Sequence, residues 1–368
     1  MISYLWNRDP YHTPVYFIGA ALYSKAIGKM TPFSLRLYSA LLSLLWIPAL
    51  FFLLRQLGIH REEVFIISAL FLFSPFFLIY AQQAREYGLW VAVILFLLNR
   101  TLAFQKKTNL RNGGLFIFSL TLSIYTDLLT LGVWGGILVW TFSKQKFLKS
   151  FLLASGVGLV LSLPWIAHVV FRYLNQGTVD VPLHESVSIL SYLGNLAVNL
   201  ARVFWDLGYE IGPNFPYWSF SFLIPSLAVM GILIFRLLEN PEGLKKHGLL
   251  IFSGLGIPFA LIAMDIVLGG KRGLIPRYYL PTWISLVIMV GSELSQVRKN
   301  RKHPTITGLV ILTSLGFLSS LLYLRSNSWW TTKPFHLADK NLNTSELLSR
   351  ASNPAEKIAV IFSTPRNR

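Results

Sequence analysis

The stretch NRDPYHTPVYF, near the N-terminus, contains the first residues whose types and spacing could do chemistry. Asp9 and His12 are three residues apart, and on one helical turn an acid and an imidazole at this spacing could share a metal ion or a proton. Pro10 and Pro14 favour an extended turn instead. In that alternative Asp9 or Thr13 caps a helix that has Pro14 in its first turn. The residue types leave both interpretations open.

A second charged pair lies in QQAREYGLW, between two runs that are almost purely apolar. Arg85 and Glu86 could anchor the chain at a membrane surface, and Glu86 would suit the start of the following helix. Alternatively Arg85 points inward, where a guanidinium can bind phosphate through two parallel hydrogen bonds. The residue types leave both interpretations of Arg85 open.

A third polar stretch, GGKRGLIPRYYLP, gathers three cations in one loop late in the chain. Lys271, Arg272 and Arg277 lie beside Tyr278, and two prolines frame the cluster. A phosphate or an anionic headgroup is the natural partner of such a group, so these residues are candidate donor-binding residues. The alternative is a loop that binds lipid headgroups without specificity.

Four acids lie near the ends of apolar segments or in the longest loop. Asp127 is at a tight turn between two short apolar segments, and acids at such depth are costly and often functional. Asp265 lies near the end of its segment, where it could simply pair with the cations of the neighbouring loop. Asp206 and Glu210 are interpreted as solvated loop acids.

The composition places these residues in a membrane protein. Of 368 residues, 54% are hydrophobic and only 13% are charged, whereas a soluble protein carries about 25% charged residues. Mean hydropathy is +0.54, and apolar runs near the length that crosses a bilayer recur along the whole chain. The chain has no cysteine, which excludes disulfides and thiolate metal sites. We therefore predict an all-α polytopic membrane protein.

The apolar runs predict about ten transmembrane helices. They cover residues 34–57, 62–80, 87–105, 112–126, 128–142, 149–173, 217–238, 248–268, 277–295 and 304–324. About half of the 33 basic residues then fall in five short loops on one side of the membrane. This bias places those loops in the cytoplasm of an inner (plasma) membrane protein, with the candidate residues on the extracytoplasmic face. The net charge of +17 is thereby explained without nucleic-acid binding.

Three regions follow from this topology. Residues 1–33 form an extracytoplasmic loop in which the short apolar segment 14–28 suits a helix lying in the membrane interface. Residues 34–324 form the transmembrane core, and within it the outer loop 174–216 contains an amphipathic stretch that we expect on the membrane surface. Residues 325–368 form a truncated extracytoplasmic tail. Since an outside N-terminus requires a preceding span, either an upstream span is missing or the count is off by one.

Four blocks of the chain, in order, resemble the GT-C fold glycosyltransferases that use polyprenyl-phosphate sugars, and more narrowly the bacterial protein-mannosyltransferase-like proteins of glycosyltransferase family 39. DPYHTPVYF is similar to the family's Asp-x-His-Pro-Pro-Leu-Tyr-Tyr stretch. SLRLYSALLSLLWIPALFFLLRQLG resembles the span that follows it. SPFFLIYAQQAREYGLW resembles Ser-Pro-x-x-x-x-Tyr-Ser-Gln-Glu-Ala-Arg-Met-Tyr, with Gln83 in place of the acid. PRYYLPTW resembles the Arg-Tyr-Leu-Leu-Pro stretch that opens a late span. The resemblance covers about residues 8 to 295.

The resemblance implies a hexosyl- or pentosyltransferase of cell-envelope glycosylation. A sugar would pass from a polyprenyl phosphate in the bilayer to a glycan, lipid or protein acceptor. An acid in the first outer loop would take the acceptor proton, and cations or a metal would assist the leaving phosphate. His12, Gln82, Arg85, Tyr87, Lys271, Arg272, Arg277 and Tyr278 are the residues expected to bind donor phosphate or substrate.

The family's usual base lies in an acidic pair just after a first span, upstream of the position matched by Asn7. We therefore expect this chain to lack that span and pair and to be an incomplete copy, with Asp9 as the candidate base. No cofactor is assigned, and dependence on a divalent metal stays open. The alternative function is a transporter or flippase of a lipid-linked sugar, a class that tends to show inverted repeats, and we find no repeat in this sequence.

Overall fold

The computed structural model describes residues 12–28, 31–176, 198–200, 202–206, 241–268, 272–300 and 302–325, with isolated positions between 224 and 239. Within these residues all regular secondary structure is helical and no strand occurs. The helices are α1 (Pro14–Ile27), α2 (Pro32–Ser43), α3 (Trp46–Gln56), α4 (Arg61–Leu72), α5 (Pro75–Gln82), α6 (Tyr87–Lys106), α7 (Leu110–Ile124), α8 (Thr130–Phe142), α9 (Gln145–Gln176), α10 (Pro241–Leu268), α11 (Leu280–Asn300) and α12 (Lys302–Arg325). Two 3-10 turns, Arg272–Leu274 and Pro276–Tyr279, connect α10 to α11.

Prolines and polar caps determine where several helices begin. The helices α1, α2 and α5 each have a proline in their first turn, where its missing N–H has no intrahelical partner to lose. The side chain of Thr31 accepts a hydrogen bond from the Ser34 N–H at 3.0 Å, and the Ser34 hydroxyl accepts one from the Thr31 N–H at 2.9 Å. This reciprocal cap satisfies two N–H groups at the start of α2.

Four helical stretches are long and apolar enough to cross a membrane. They are Phe33–Gln56, Tyr87–Lys106, Gln145–Arg172 and Glu242–Val267. The helices α4 and α5, which meet at an angle of 61°, would make a fifth if they form one broken span. The break occurs at Ser74, whose extended backbone precedes Pro75 and so cannot continue a helix. The all-helical membrane character of the prediction is confirmed, with four to five membrane-capable helices among the described residues; α7, α8 and Thr307–Leu321 are shorter apolar helices.

The helix α6 lies at the centre of the bundle. In its apolar stretch 78% of the residues are buried, compared with 33% in each of the other three long stretches. It packs against α2, α3, α7 and α11. Whatever precedes its first residue therefore lies in the middle of one end of the molecule.

The closest helix packing joins α8 to α10. A Cβ atom on Gly136 would overlap the carbonyl oxygen of Phe252, and one on Gly256 would overlap the carbonyl oxygen of Gly132. Small residues of this kind let helix backbones approach closely in membrane proteins. The turn that precedes α8 is thereby held in a defined place.

The helix α1 confirms the predicted helix over residues 14–28 and is tied to the turn between α7 and α8. The Thr13 hydroxyl donates a hydrogen bond to the carbonyl oxygen of Thr126, and the Val15 N–H donates one to that of Tyr125 at 3.3 Å. Tyr16 and Phe17 form a small separate core with residues of α2 and α9. The start of α1 is thus fixed against the bundle.

The described residues 198–200 and 202–206 correct the prediction for the amphipathic stretch of the long loop, because they are inserted into the bundle rather than laid on its surface. Val203 and Phe204 are buried. The Val203 carbonyl accepts a hydrogen bond from the Ser74 hydroxyl at 2.6 Å. The Asp206 N–H donates to the Ser319 hydroxyl at 3.0 Å. These hydrogen bonds to α12 and to the residue preceding α5 explain why the segment enters the interior.

Candidate functional site

The candidate site is built on the turn that leads into the central helix α6. We call this end of the molecule the Arg85 end and the opposite one, where α3 finishes, the Arg55 end. The Arg85 N–H donates to the Gln83 carbonyl at 2.7 Å, and the guanidinium donates to the Tyr87 hydroxyl at 3.5 Å. Because α6 is central, Arg85 lies in the middle of this end and is partly buried.

Glu86 occupies the position before the first residue of α6, which agrees with its interpretation as a helix-start residue. Its side chain, however, does not cap the helix. The residue is only 6% exposed, and its Oε2 is buried without a hydrogen-bond partner in the part of the chain that the structure describes. A buried carboxylate oxygen without a partner is costly, so it calls for an explanation beyond helix initiation.

Asp127 lies on the turn between α7 and α8, which contacts α6 close to Glu86, because the Trp90 indole N–H donates a hydrogen bond to the Thr130 hydroxyl at 3.0 Å. Its Oδ1 accepts a hydrogen bond from the Leu129 N–H at 2.9 Å, and its own N–H donates to the Ser123 carbonyl at 3.0 Å. The residue is partly exposed, although neighbouring protein displaces much of the water around its carboxyl group. Burial, followed by the charge of Glu86, raises the pKa of Asp127 to about 7, against the opposing effects of the Leu129 N–H, His12 and Arg277.

Arg277 brings a second guanidinium to the Arg85 end from the turn before α11. It lies over the ring of Tyr278, 5.3 Å from the ring centre. Its Nε is buried without a hydrogen-bond partner among the described residues. Tyr80 and Tyr87, whose rings pack edge to face at 5.2 Å, are within its electrostatic reach. The structure thus brings together Arg85, Tyr87 and Arg277, which the sequence had placed in two separate stretches.

A buried ion pair between Arg202 and Asp206 lies next to this group and interacts electrostatically with Tyr80. Arg202 Nε is 3.7 Å from Asp206 Oδ2, and both side chains are almost fully buried. Asp206 is therefore not the solvated loop acid that the sequence suggested. The sequence interpretation also overlooked Arg202, although the spacing of four residues between opposite charges is the usual signal for such a pair.

The remaining candidates fall at different places. His12 is close enough to affect Asp127, and Gln82 is exposed at the end of α5. Arg272 Nη1 is 3.4 Å from Asp265 Oδ1, and the same carboxyl accepts the backbone N–H groups of Arg272 and Gly273 at 2.9 and 2.7 Å. This matches the alternative in which Asp265 pairs with its neighbouring loop. Asp9, Lys271 and Glu210 lie outside the described residues.

The arrangement suits two kinds of chemistry. Two arginines with surrounding tyrosine hydroxyls can bind a phosphate, and two carboxyl groups whose charges interact can hold and release a proton. Across the described ranges, no group of three or more His, Cys, Asp or Glu side chains could hold a metal ion.

Comparisons with known proteins add no assignment, since no family model, curated protein or solved structure matches the chain.

Proposed function

We propose that this chain is an integral membrane glycosyltransferase that moves a sugar from a polyprenyl phosphate to an extracytoplasmic acceptor. The observation that carries the proposal is the buried Nε of Arg277, which has no partner in the described residues and lies in the same cluster as Arg85. A buried guanidinium with an unused donor is a ready site for an anion. The surrounding chain is apolar enough for that anion to be carried by a membrane lipid.

The chemistry follows from the charge that develops in the reaction. When the bond between a sugar and a lipid phosphate breaks, negative charge accumulates on the departing phosphate oxygen. Fixed cations in a poorly hydrated site stabilise such charge strongly, because they need no reorganisation when it appears. Arg85 and Arg277 would serve in this role, and the hydroxyl group of Tyr87 would orient the Arg85 guanidinium.

The distribution of cations supports an extracytoplasmic site in the inner (plasma) membrane. At the Arg55 end the basic residues are mostly exposed at the helix ends and the short turns between them, and they include Arg55, Lys107, Arg111 and Lys146. This is the pattern of cytoplasmic loops. The Arg85 end, where Arg85 and Arg277 are partly buried among acids and tyrosines, would then face the cell envelope.

Binding of a polyprenyl phosphate to the full chain in lipid nanodiscs tests the proposal. We expect Arg277→Gln to weaken binding by about 10- to 100-fold, because a charged hydrogen bond is worth about 1.5–3 kcal/mol. The matched control is Arg55→Gln, an exposed arginine at the opposite end, which should change affinity less than about twofold. The polyprenol without phosphate should bind weakly to every variant.

A transfer assay with a panel of polyprenyl-phosphate sugars separates the enzyme from a transporter. Sugar attached to an acceptor, lost in Arg277→Gln, supports the transferase. Equal affinity of wild type and Arg277→Gln for the lipid phosphate would overturn the proposed site. Movement of the labelled donor across the bilayer without any transfer would favour the flippase instead.

A further inference from the structure

The pair formed by Glu86 and Asp127 is the feature that lipid-phosphate binding leaves unexplained. Two acids beside each other repel when both are ionised, so such a pair is unfavourable for stability. An acidic pair alone is not evidence of a site. Here, however, Glu86 is 6% exposed and its Oε2 has no hydrogen-bond partner among the described residues. The fold therefore retains a nearly buried carboxylate, one oxygen of which has no hydrogen-bond partner in the described part of the chain.

Asp127 differs from Glu86 in that one of its carboxyl oxygens is fixed by a hydrogen bond while the other is not. One carboxyl oxygen, Oδ1, is held by the Leu129 N–H at 2.9 Å. The other, Oδ2, makes no hydrogen bond to any described residue, and the residue is partly exposed. The turn itself is fixed by the hydrogen bonds from Thr13 and Val15 to Thr126 and Tyr125. A free oxygen on a rigid, accessible turn is what a proton acceptor needs.

We propose that Asp127 removes the proton from the acceptor hydroxyl, and that Glu86, at the start of α6, is a positioning residue that acts through Asp127. This inference rests on the proposed glycosyl transfer and adds the residue that performs the acid–base step. It differs from the base suggested by sequence resemblance, Asp9, and uses two acids that lie in other parts of the chain.

The step is balanced without any further reactant. The acceptor O–H bond breaks and its proton moves to Oδ2 of Asp127. The acceptor oxygen forms a bond to the sugar carbon that carries the phosphate. The bond from that carbon to the phosphate oxygen breaks, and its electron pair leaves with the lipid phosphate toward Arg85 and Arg277.

Four groups surround Asp127 and determine when it can act. They are Glu86 before α6, His12 before α1, Arg277 before α11 and the Leu129 N–H of its own turn. Burial and the charge of Glu86 raise the pKa of Asp127 to about 7, while the other three groups oppose them. A base must be ionised, so the transfer rate should rise with pH through this value.

Two substitutions of nearly unchanged shape test the proposal in the full chain reconstituted in lipid nanodiscs. Asp127→Asn should lower the transfer rate by about 100-fold or more, the usual contribution of a positioned base. Affinity for a polyprenyl phosphate should stay within about twofold of wild type.

Glu86→Gln should move the acidic limb of the pH–rate profile to lower pH, because the charge that raises the pKa of Asp127 is gone. The control Glu62→Gln removes an exposed carboxyl group at the Arg55 end and should leave the profile unchanged.

The outcomes separate this inference from the proposed function. Transfer by wild type that persists in Asp127→Asn would overturn the role of Asp127 and leave the transferase standing. An unshifted pH profile in Glu86→Gln would overturn the role of Glu86. If wild type transfers no sugar from any donor, the proposed function fails and the base with it. Infrared titration of the protonated carboxyl band then still decides whether the pair exists, since the band should disappear in Asp127→Asn.

Discussion

The two ends of the helical bundle differ in the partners that their buried acids have. At the Arg55 end, Glu63 is 3% exposed and its Oε2 has two partners, Lys246 Nζ at 3.8 Å and the Ser292 hydroxyl at 3.4 Å. At the Arg85 end, Glu86 is similarly buried, yet its Oε2 has no hydrogen-bond partner in the described chain and lies near a second acid.

This difference separates an acid that holds helices together from an acid kept for chemistry. Glu63 on α4 connects to Lys246 on α10 and Ser292 on α11, so its removal should loosen three helices. Among the described residues the Oε2 of Glu86 has no such partner, and the charge of Glu86 opposes ionisation of Asp127. Retention of an unfavourable arrangement is typical of functional sites, where stability is given up for reactivity.

The largest effect that we expect on stability comes from the pH dependence of the acid pair. Because burial and Glu86 raise the pKa of Asp127 to about 7, above the value of about 3.9 in an unfolded chain, its contribution to stability is fully present below pH 4. It is lost as pH rises through 7. Between these limits wild type should lose about 2–4 kcal/mol more unfolding free energy than Asp127→Asn, since each pKa unit is worth about 1.4 kcal/mol.

Unfolding in mixed detergent micelles at a series of pH values measures this difference. Parallel pH curves for wild type and Asp127→Asn would show that Asp127 is ionised normally and that the two ends do not differ in the way described.

The same substitution at the two ends should change stability in opposite directions. Glu63→Gln should destabilise the protein by about 1–3 kcal/mol, because it removes the charge that pairs with Lys246. Glu86→Gln should leave the unfolding free energy unchanged or raise it by up to about 1 kcal/mol, because a repulsion disappears. Thermal denaturation at neutral pH compares the two variants directly, and equal destabilisation would contradict the distinction.

His247 is the residue that could weaken this comparison, since it lies at the Arg55 end and is fully buried. Neither of its ring nitrogens has a hydrogen-bond partner among the described residues. If the position is only structural, His247→Leu should raise the unfolding free energy by about 1 kcal/mol, because an unsatisfied polar group is replaced by an apolar one. A loss of stability in the same denaturation experiment would mean that the imidazole has an unrecognised role.

Exposed cations at the Arg55 end should have the smallest effect on stability. Lys146 is exposed at the start of α9, and Lys146→Gln should change the unfolding free energy by less than about 0.5 kcal/mol. Lys146→Gln therefore provides the baseline against which the stability changes of the other variants are compared. A larger change would show that the cations of this end stabilise the fold as well as bias its orientation.

The sequence predicted helices and local contacts better than it predicted the site. Apolar runs located the helices, and Pro14 marked the start of α1, because these signals act within one or two turns. The placement of Asp265 beside Arg272 was equally local. The number of membrane crossings was harder to predict from the sequence, because α7 and α8 are shorter than a full span and because α4 and α5 meet at an angle.

The acid pair could not be predicted because it depends on tertiary packing. Glu86 and Asp127 are separated by two helices and meet only because α8 packs tightly on α10 and the turn before α8 faces the start of α6. Likewise, the burial of Asp206 depends on contacts with Ser319, far along the chain. Sequence patterns identified each of these acids but gave no measure of which ones would be enclosed.

The hydrogen bonds between the start of α1 and the turn before α8 have a mechanical consequence. Thr13 and Val15 attach the first described helix to Thr126 and Tyr125, the two residues immediately before Asp127. Several apolar side chains of α1, including Leu22, are exposed toward its surroundings. A lateral force that tilts α1 must therefore either break these hydrogen bonds or displace the Asp127 turn. Tilting of α1 and movement of this turn are thus mechanically coupled.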